Sequence, residues 1–360
     1  MAHISTAGYR KIGFGQCGLI LERPGRNFVL KIARRHFEEA LWNDCLSHAR
    51  VYGAFIKQPF PECRVPILFS YVANGNAEWW SEHGKFLPPM PQDFPVPSSV
   101  MISERILPLP KPVRNALIDH FCPSNLKETV KSDPANRDCL VRVYLGRRRT
   151  PGAPKPPNFS LRNFNLCLDQ MIFLGLPIRE YASAMAEALA IMHWSAHIDA
   201  YDVEFVLGSE AEVKYRRPLA ELVPWNIEDL EKLPPNTDLD KAMHVNFSKR
   251  TMRMWLIDFN LCSRWKASQA VEHPDEVVSQ LVLAFFENDP YYPLPLMELD
   301  LDKELWSVFR EKYLWKSNDI LSSGHPELRQ LPGRFIDECV AREQKKLAQG
   351  LGHGHRDLKG

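Results

Sequence analysis

A lysine stands inside an apolar strand, and a chain that does this has few folds open to it. The stretch YRKIGFGQCGLILERPGRNFVLKIA, residues 9–33, alternates short apolar runs with two turn signals, GFGQCG and RPGRN. It predicts three antiparallel strands joined by tight turns. The third run, FVLKIA, carries Lys31 between apolar neighbours. A buried ammonium has to be paired, so some carboxylate must reach this strand. An amphipathic helix is predicted directly afterwards, from about Phe37 to Ile56, with Leu41, Cys45, Ala49 and Tyr52 at helical spacing. Glu38 and Glu39 in its first turn are the expected partners of Lys31.

Two further strand candidates, RVPILFSYV and SVMISERILPLP, extend this region into a small β-rich lobe ending near residue 110, with residues 82–97 read as a proline-rich loop. Residues 111–157 are mixed and basic, end in GRRRTPGAPKPP, and read as a linker or mobile loop. A helical lobe is expected from residue 158 to 347. Its first long helix shows one face in Ile178, Tyr181, Met185, Leu189 and Met192, with Pro177 where a first-turn proline is tolerated. The runs VEFVLG and MRMWLIDFN read as strands, residues 275–287, 301–314 and 326–347 as helices, and residues 348–360 as a disordered tail.

Composition excludes several classes. The formal net charge is +1, so a polyanion would have to be held by local basic patches rather than by a global field. Eight cysteines are scattered singly with no CxxC pair, which removes zinc-ribbon and thioredoxin readings. His193 and His197 form HxxxH without an intervening glutamate and read as a helix-end pair, not a metal site. The first residues lack the apolar core of a secretion signal, and no run of 18 apolar residues occurs. A cytosolic enzyme or binding protein is expected, with no membrane association and no stable protein partner.

The chemistry concentrates in HIDAYDVEFVLG, residues 197–208. Asp199, Asp202 and Glu204 follow His197 closely, and like charges so near one another call for a cation, a metal or a catalytic duty. GFGQCG fits GxGxxG, but a strand on each side disfavours a dinucleotide-binding turn. Glycine turn, strand lysine and following helix instead resemble the small lobe of a protein kinase. In the same order HIDAYDVE resembles the catalytic loop, with His197, Asp199 and Glu204 at the His, Asp and Asn positions. IDFN, residues 257–260, resembles the metal-binding segment through Asp258, and SERILPLP the hinge. The resemblance implies an α+β, protein-kinase-like two-lobed fold with a small β-rich N-lobe and a larger helical C-lobe. Three departures, Ile198, Glu204 and Asn260, leave the phosphoryl-transfer set incomplete.

MAEALAIMHWSAHIDAYDVEFVLGS followed by WLIDFNLC is similar to a fungal family labelled zinc-finger-like or of unknown function. Some of its members are arginine-containing cyclodipeptide synthases. The resemblance implies condensation of arginine from arginyl-tRNA with a second aminoacyl-tRNA residue to cyclo(Arg-X), without cofactor or metal. It places the family's acidic motif at Asp199, Asp202 and Glu204, although Tyr201 stands where relatives tend to have a second adjacent aspartate. Carboxylates read a planar guanidinium in bidentate geometry, so these acids are the expected arginine receptor, with Asp199 or His197 moving a proton. The bland alternative is that one or two of them cap the following turn or pair with Lys31. Lys31 and Asp258 are expected to contact substrate, and Arg147, Arg148 and Arg149, with Lys155, to contact tRNA. Lys214 with Arg216 and Arg217, and Lys249 with Arg250 and Arg253, are further basic clusters. A phosphotransferase of the small-molecule-kinase type and a non-catalytic pseudokinase-like binding protein are the alternatives.

Overall fold

The computed structural model describes residues 8–150, 152, 155, 157–213, 232 and 245–351, with backbone alone for residues 211–213, 245–250 and 323. Lys214, Tyr215, Arg216, Arg217 and residues 352–360 of the tail lie outside the described residues, as do the side chains of Lys249 and Arg250.

The chain is mixed α+β, with a sheet-rich N-terminal region and a largely helical C-terminal part. Strands β1 (Arg10–Phe14), β2 (Gly18–Glu22), β3 (Phe28–Ala33), β4 (Leu68–Val72) and β5 (Val100–Glu104) form an antiparallel sheet in the order β1-β2-β3-β5-β4. Strand alternation sorts β3 into two faces. Leu30 and Ile32 join Leu19, Leu21 and Phe94 in a core covered by Trp79 and Trp80 of helix α2 (Ala77–His83) and by Phe86. Each fully buried aliphatic side chain there contributes roughly 1.5–3 kcal/mol. Ala33 faces the other way, toward Leu41 and Cys45 of helix α1 (Glu38–Phe55). Lys31 shares that second face.

Helix α1 has the expected limits but is rotated from the expected face. Its buried residues include Leu41, Asp44, His48, Val51 and Phe55, spaced 3, 4, 3 and 4, whereas Ala49 is exposed. The inward stripe contains an acid and a histidine, which apolar periodicity counts as outward.

Residues 111–150 are not a linker. They contain helices α3 (Lys111–Phe121) and α4 (Lys127–Ser132) and strand β6 (Val141–Tyr144). Val141 and Val143 are fully buried in the large C-terminal core, which holds this segment in place. β6 is a central strand of a second sheet ordered β7-β6-β8-β9, from β7 (Phe164–Cys167), β8 (Glu204–Val213) and β9 (Val245–Ile257). It pairs parallel with β7 and antiparallel with β8. β8 and β9 both run past the apolar cores VEFVLG and MRMWLI.

Behind this sheet lies α6 (Ile178–Trp194), with Met185, Leu189 and Met192 fully buried or nearly so. The short helices α5 (Leu168–Phe173) and α7 (Ala267–Glu272) and the helices α8 (Pro274–Glu287), α9 (Asp300–Ser323) and α10 (Leu331–Ala348) complete the core through Met171, Ala270, Phe285, Phe309, Tyr313 and Phe335. The two parts are stitched together beside the connection after β5. Leu107 bridges Ser209, and Arg64 bridges Trp255. Gly208 is required at this seam: a Cβ there would lie 2.3 Å from Ile106 Cγ2. All eight cysteines are buried free thiols. Among the described residues no helix is long and apolar enough to cross a membrane.

Candidate active site

A cleft of about 240 Å³ opens between the two parts. Its walls are the glycine hairpin (Ile12 to Cys17), β3 through Lys31, β5 from Met101 with the connection after it to Pro108, Leu140, and β6 through Arg142. Its floor carries Asp44, Glu204 and Asp258. Across its mouth the exposed Phe14 ring at the hairpin tip receives the guanidinium of Arg162 at 4.9 Å and the ammonium of Lys11 at 4.3 Å. At the hinge end, buried Glu22 pairs with both Arg10 and Arg105, and these two arginines also hold Asp138.

Lys31 meets its partners here. Its Nζ lies 2.6 Å from Asp44 Oδ2 and 3.0 Å from Asp258 Oδ1. Burial alone would drive the ammonium toward neutrality, but Asp258 and Asp44 outweigh it and raise its pKa well above the ordinary value. The helix partner is therefore Asp44, not Glu38 or Glu39, which sit in the first turn of α1 one to two turns away. Asp44 Oδ1 also accepts the Phe259 N–H at 2.9 Å. Asn43 donates to the carbonyls of Asn260 and Cys262. His48, held neutral by burial, donates through Nε2 to the Pro66 carbonyl at 2.7 Å. Two neighbouring residues of α1, Asn43 and Asp44, thus clamp the IDFN segment, in which Asp258 adopts φ 64°. Gly18 is the one hairpin glycine that close contact demands: a Cβ there would come 2.7 Å from Lys31 Cγ.

Glu204 opens strand β8 beside this group. Its carboxylate pairs with the guanidinium of Arg142 on β6, which also reaches Asp289 Oδ2 at 3.3 Å. Tyr144 donates its hydroxyl to the same Asp289 oxygen at 2.9 Å. Burial pushes the Glu204 pKa up to about 7, with Arg142 opposing and Asp258 adding to the rise. A carboxyl poised there exchanges a proton readily at neutral pH.

The other members of the acidic motif do not converge with Glu204. Asp199 is buried and lies outside the cleft lining: Oδ1 accepts the N–H groups of Tyr201 and Ser263, at 3.1 and 2.9 Å, and Oδ2 accepts Gln280 Nε2 at 2.9 Å. Both oxygens are engaged, so the three-acid guanidinium receptor is not assembled, and for Asp199 the capping alternative holds. Asp202 is half-buried, at φ 59°. His197 stacks on Trp265 at 4.5 Å and tilts against His325, away from the cleft lining, and burial lowers its pKa. His193 is fully buried, with Nδ1 2.9 Å from the Tyr313 hydroxyl, and burial lowers its pKa to about 3.

The arginine triplet follows β6 and is largely committed within the chain. Arg148 makes a two-pronged pair with Asp302 at 3.2 and 2.7 Å. Arg149 pairs with Asp169 at 2.8 Å and lies over Phe121, while Arg147 is exposed. Lys155 donates to the carbonyls of His120 and Cys122, and Arg253 pairs with Glu210.

Sequence reasoning missed Asp44, Arg142, Tyr144 and Asp289. Asp44 carried a signal, its position three residues after Leu41 and four before His48 on one helix face. Arg142 carried a weaker one, the alternation V-R-V-Y. Asp289 had none, because its role depends on how the chain leaves α8.

The DUF3669 family model, described as "Zinc finger protein", matches residues 254–325. That segment contains one cysteine and two histidines. Cys262 is buried, with its thiol on the Tyr201 carbonyl, so these residues do not fit a zinc site. Among the described residues, the one group of three acid, cysteine or histidine side chains with ligand atoms drawn together is Cys17, Asp44 and Asp258, and the cation beside it is Lys31. No curated protein matches the chain. Among solved structures, a microcompartment-associated aminopropanol kinase aligns over 96% of this chain and 94% of its own at 12% identity, with a TM-score of 0.23, too low to bear on the fold.

Proposed function

We propose that the chain is a tRNA-dependent cyclodipeptide synthase on a kinase-like two-lobed fold, joining arginine from arginyl-tRNA to a second aminoacyl residue as cyclo(Arg-X). The observation that carries this reading is a nucleotide-type cleft whose phosphoryl-transfer groups are otherwise engaged. Glycine hairpin, strand lysine, helix acid and Asp258 surround one cavity. Yet both oxygens of Asp199 are bound by Tyr201, Ser263 and Gln280, outside the cleft lining, and Glu204 already holds Arg142. A cleft that does not present the catalytic-loop aspartate to a hydroxyl, and whose Glu204 is turned to Arg142 rather than to magnesium, is ill suited to kinase chemistry. It suits the aminoacyl-adenosine end of a tRNA, whose ester needs no ATP.

In this reading the amine of one aminoacyl residue attacks the ester carbonyl of the other. The C–N bond forms as the bond to the ribose oxygen breaks. Glu204 takes the amine proton and returns it to the departing ribose hydroxyl. Lys31 and Arg142 supply positive charge for the tetrahedral oxyanion. A second aminolysis by the same steps closes the ring and releases the remaining tRNA. Asp258, with a third of its side chain exposed, is the acid that meets a substrate cation.

The phosphotransferase reading is favoured by the glycine hairpin and by Lys31 with Asp44 and Asp258, which it shares with the synthase reading. Expression in a bacterial host with its normal charged tRNAs, followed by mass spectrometry, tests the proposal. Cyclo(Arg-X) is expected from the wild type and not from a folded Glu204→Gln variant. A wild type that yields no arginine-containing cyclic dipeptide would overturn it.

A further inference from the structure

Helix α1 is apolar on two opposite sides. Its inner stripe holds the IDFN segment, as described above. Its outer side presents Glu39, Trp42, Leu46, Ala49, Gly53 and Ile56, spaced 3, 4, 3, 4 and 3, the seam of a helix that packs against another helix. Trp42 is 46% exposed, Leu46 43% and Ile56 64%. The Trp42 ring meets Tyr71 of the edge strand β4 edge-on at 4.8 Å, so the patch reaches that strand.

Gly53 is the informative member. A glycine inside a helix costs about 1 kcal/mol relative to alanine. Here a Cβ would meet nothing within 4 Å, so no contact in this chain requires it. Such a gap leaves room for something bulky approaching from outside. The stripe itself contains the match. Laid antiparallel on its own copy, the seam pairs Trp42 with Gly53, Leu46 with Ala49 and Glu39 with the Ile56–Lys57 end. Large residues then meet small ones in each layer, and an acid meets a lysine at both ends. A two-fold axis generates every pairing twice.

We infer that the outer face of α1 is the contact between two copies of this chain, in an antiparallel pairing that seats Trp42 against Gly53 of the second copy. The contact lies on the opposite side of the helix from Asp44 and runs beside Asn43, so pairing would also steady the groups that hold Lys31 and Asp258.

The full chain at tens of micromolar should show twice its 41.5 kDa mass by light scattering on a sizing column. Gly53→Leu fills the seat in open space, and should weaken association at least tenfold without lowering the melting temperature. Trp42→Glu should give a single-chain mass. Register is read by cysteine cross-linking, which the eight buried native thiols leave clean. A mixture of Leu46→Cys and Ala49→Cys chains should cross-link under mild oxidant, and far more than either chain alone. A single-chain mass for the wild type overturns the inference. So does a dimer indifferent to Gly53→Leu, or one whose mixed cysteine chains do not cross-link.

Discussion

Removing Lys31 should cost more than removing the acid it was built to meet. Lys31→Met leaves Asp44, 2% exposed, and Asp258, 32% exposed, facing each other without the cation between them. Breaking a buried pair from one side costs about 3–5 kcal/mol, because the remaining charge stays buried. Asp44→Asn is milder. Its amide oxygen still accepts the Phe259 N–H, and Lys31 keeps Asp258 at 3.0 Å, so a loss of about 1–3 kcal/mol follows. The double variant leaves only the partly exposed Asp258 and should fall short of the sum by about 2 kcal/mol. Urea unfolding at pH 7 measures all four proteins, with Trp42, Trp79 and Trp80 reporting on the N-terminal sheet and α1. Losses that add to within about 0.5 kcal/mol would show that the two residues are uncoupled. Lys31→Met as stable as the wild type would show that the ammonium is not buried between them.

Three further outcomes follow. The folded-state pKa of Glu204, about 7, lies above the ordinary 4.5, so its contribution to stability is complete below pH 4.5 and is lost as pH rises through 7, while synthesis by its ionised form should be half-maximal near pH 7; Glu204→Gln should remove both dependences in a pH series. The pKa of His193 is lowered from 6.5 to about 3, so its contribution is complete above pH 6.5 and is lost as pH falls toward 3, by about 2–3 kcal/mol at pH 4.5; because Glu204 shifts stability the opposite way over this range, the test uses Glu204→Gln, and a Glu204→Gln protein as stable in urea at pH 4.5 as at pH 7 would contradict a neutral buried imidazole. Gly208→Ala drives a methyl into Ile106 and should cost about 1–3 kcal/mol by thermal unfolding, whereas Gly25→Ala, at a turn with open space but φ 80°, should cost less.

The strands of the N-terminal sheet were legible because each is a short apolar run bounded by glycine or proline, and the need to pair Lys31 was legible because a buried ammonium has no other choice. Its partner was not. Asp44 sits on a helix face that mixes acid, histidine and apolar residues, and apolar spacing alone rotated the helix by about a quarter turn. β6 was hidden for a related reason: VRVY is four residues long, lies in a basic, proline-rich neighbourhood, and gains its place through contacts with β7 and β8. The acidic motif was visible as a cluster in sequence but not as a division of labour. Left-handed backbone at His197, Ala200 and Asp202 turns successive side chains to different sides, so Asp199 faces Ser263 and Gln280 while Glu204 faces the cleft. The arginine triplet read as a free basic patch because Asp169 and Asp302, which hold Arg149 and Arg148, are distant in sequence.

The most direct measurement combines purified protein, arginyl-tRNA and a second aminoacyl-tRNA with an ATP-depleting enzyme and a chelator, and follows cyclo(Arg-X) by mass spectrometry. Product should form without ATP or magnesium in the wild type and be lost in Glu204→Gln. Product that appears only when ATP and magnesium are restored, or a phosphorylated small molecule in its place, would contradict the account and assign the cleft to phosphoryl transfer.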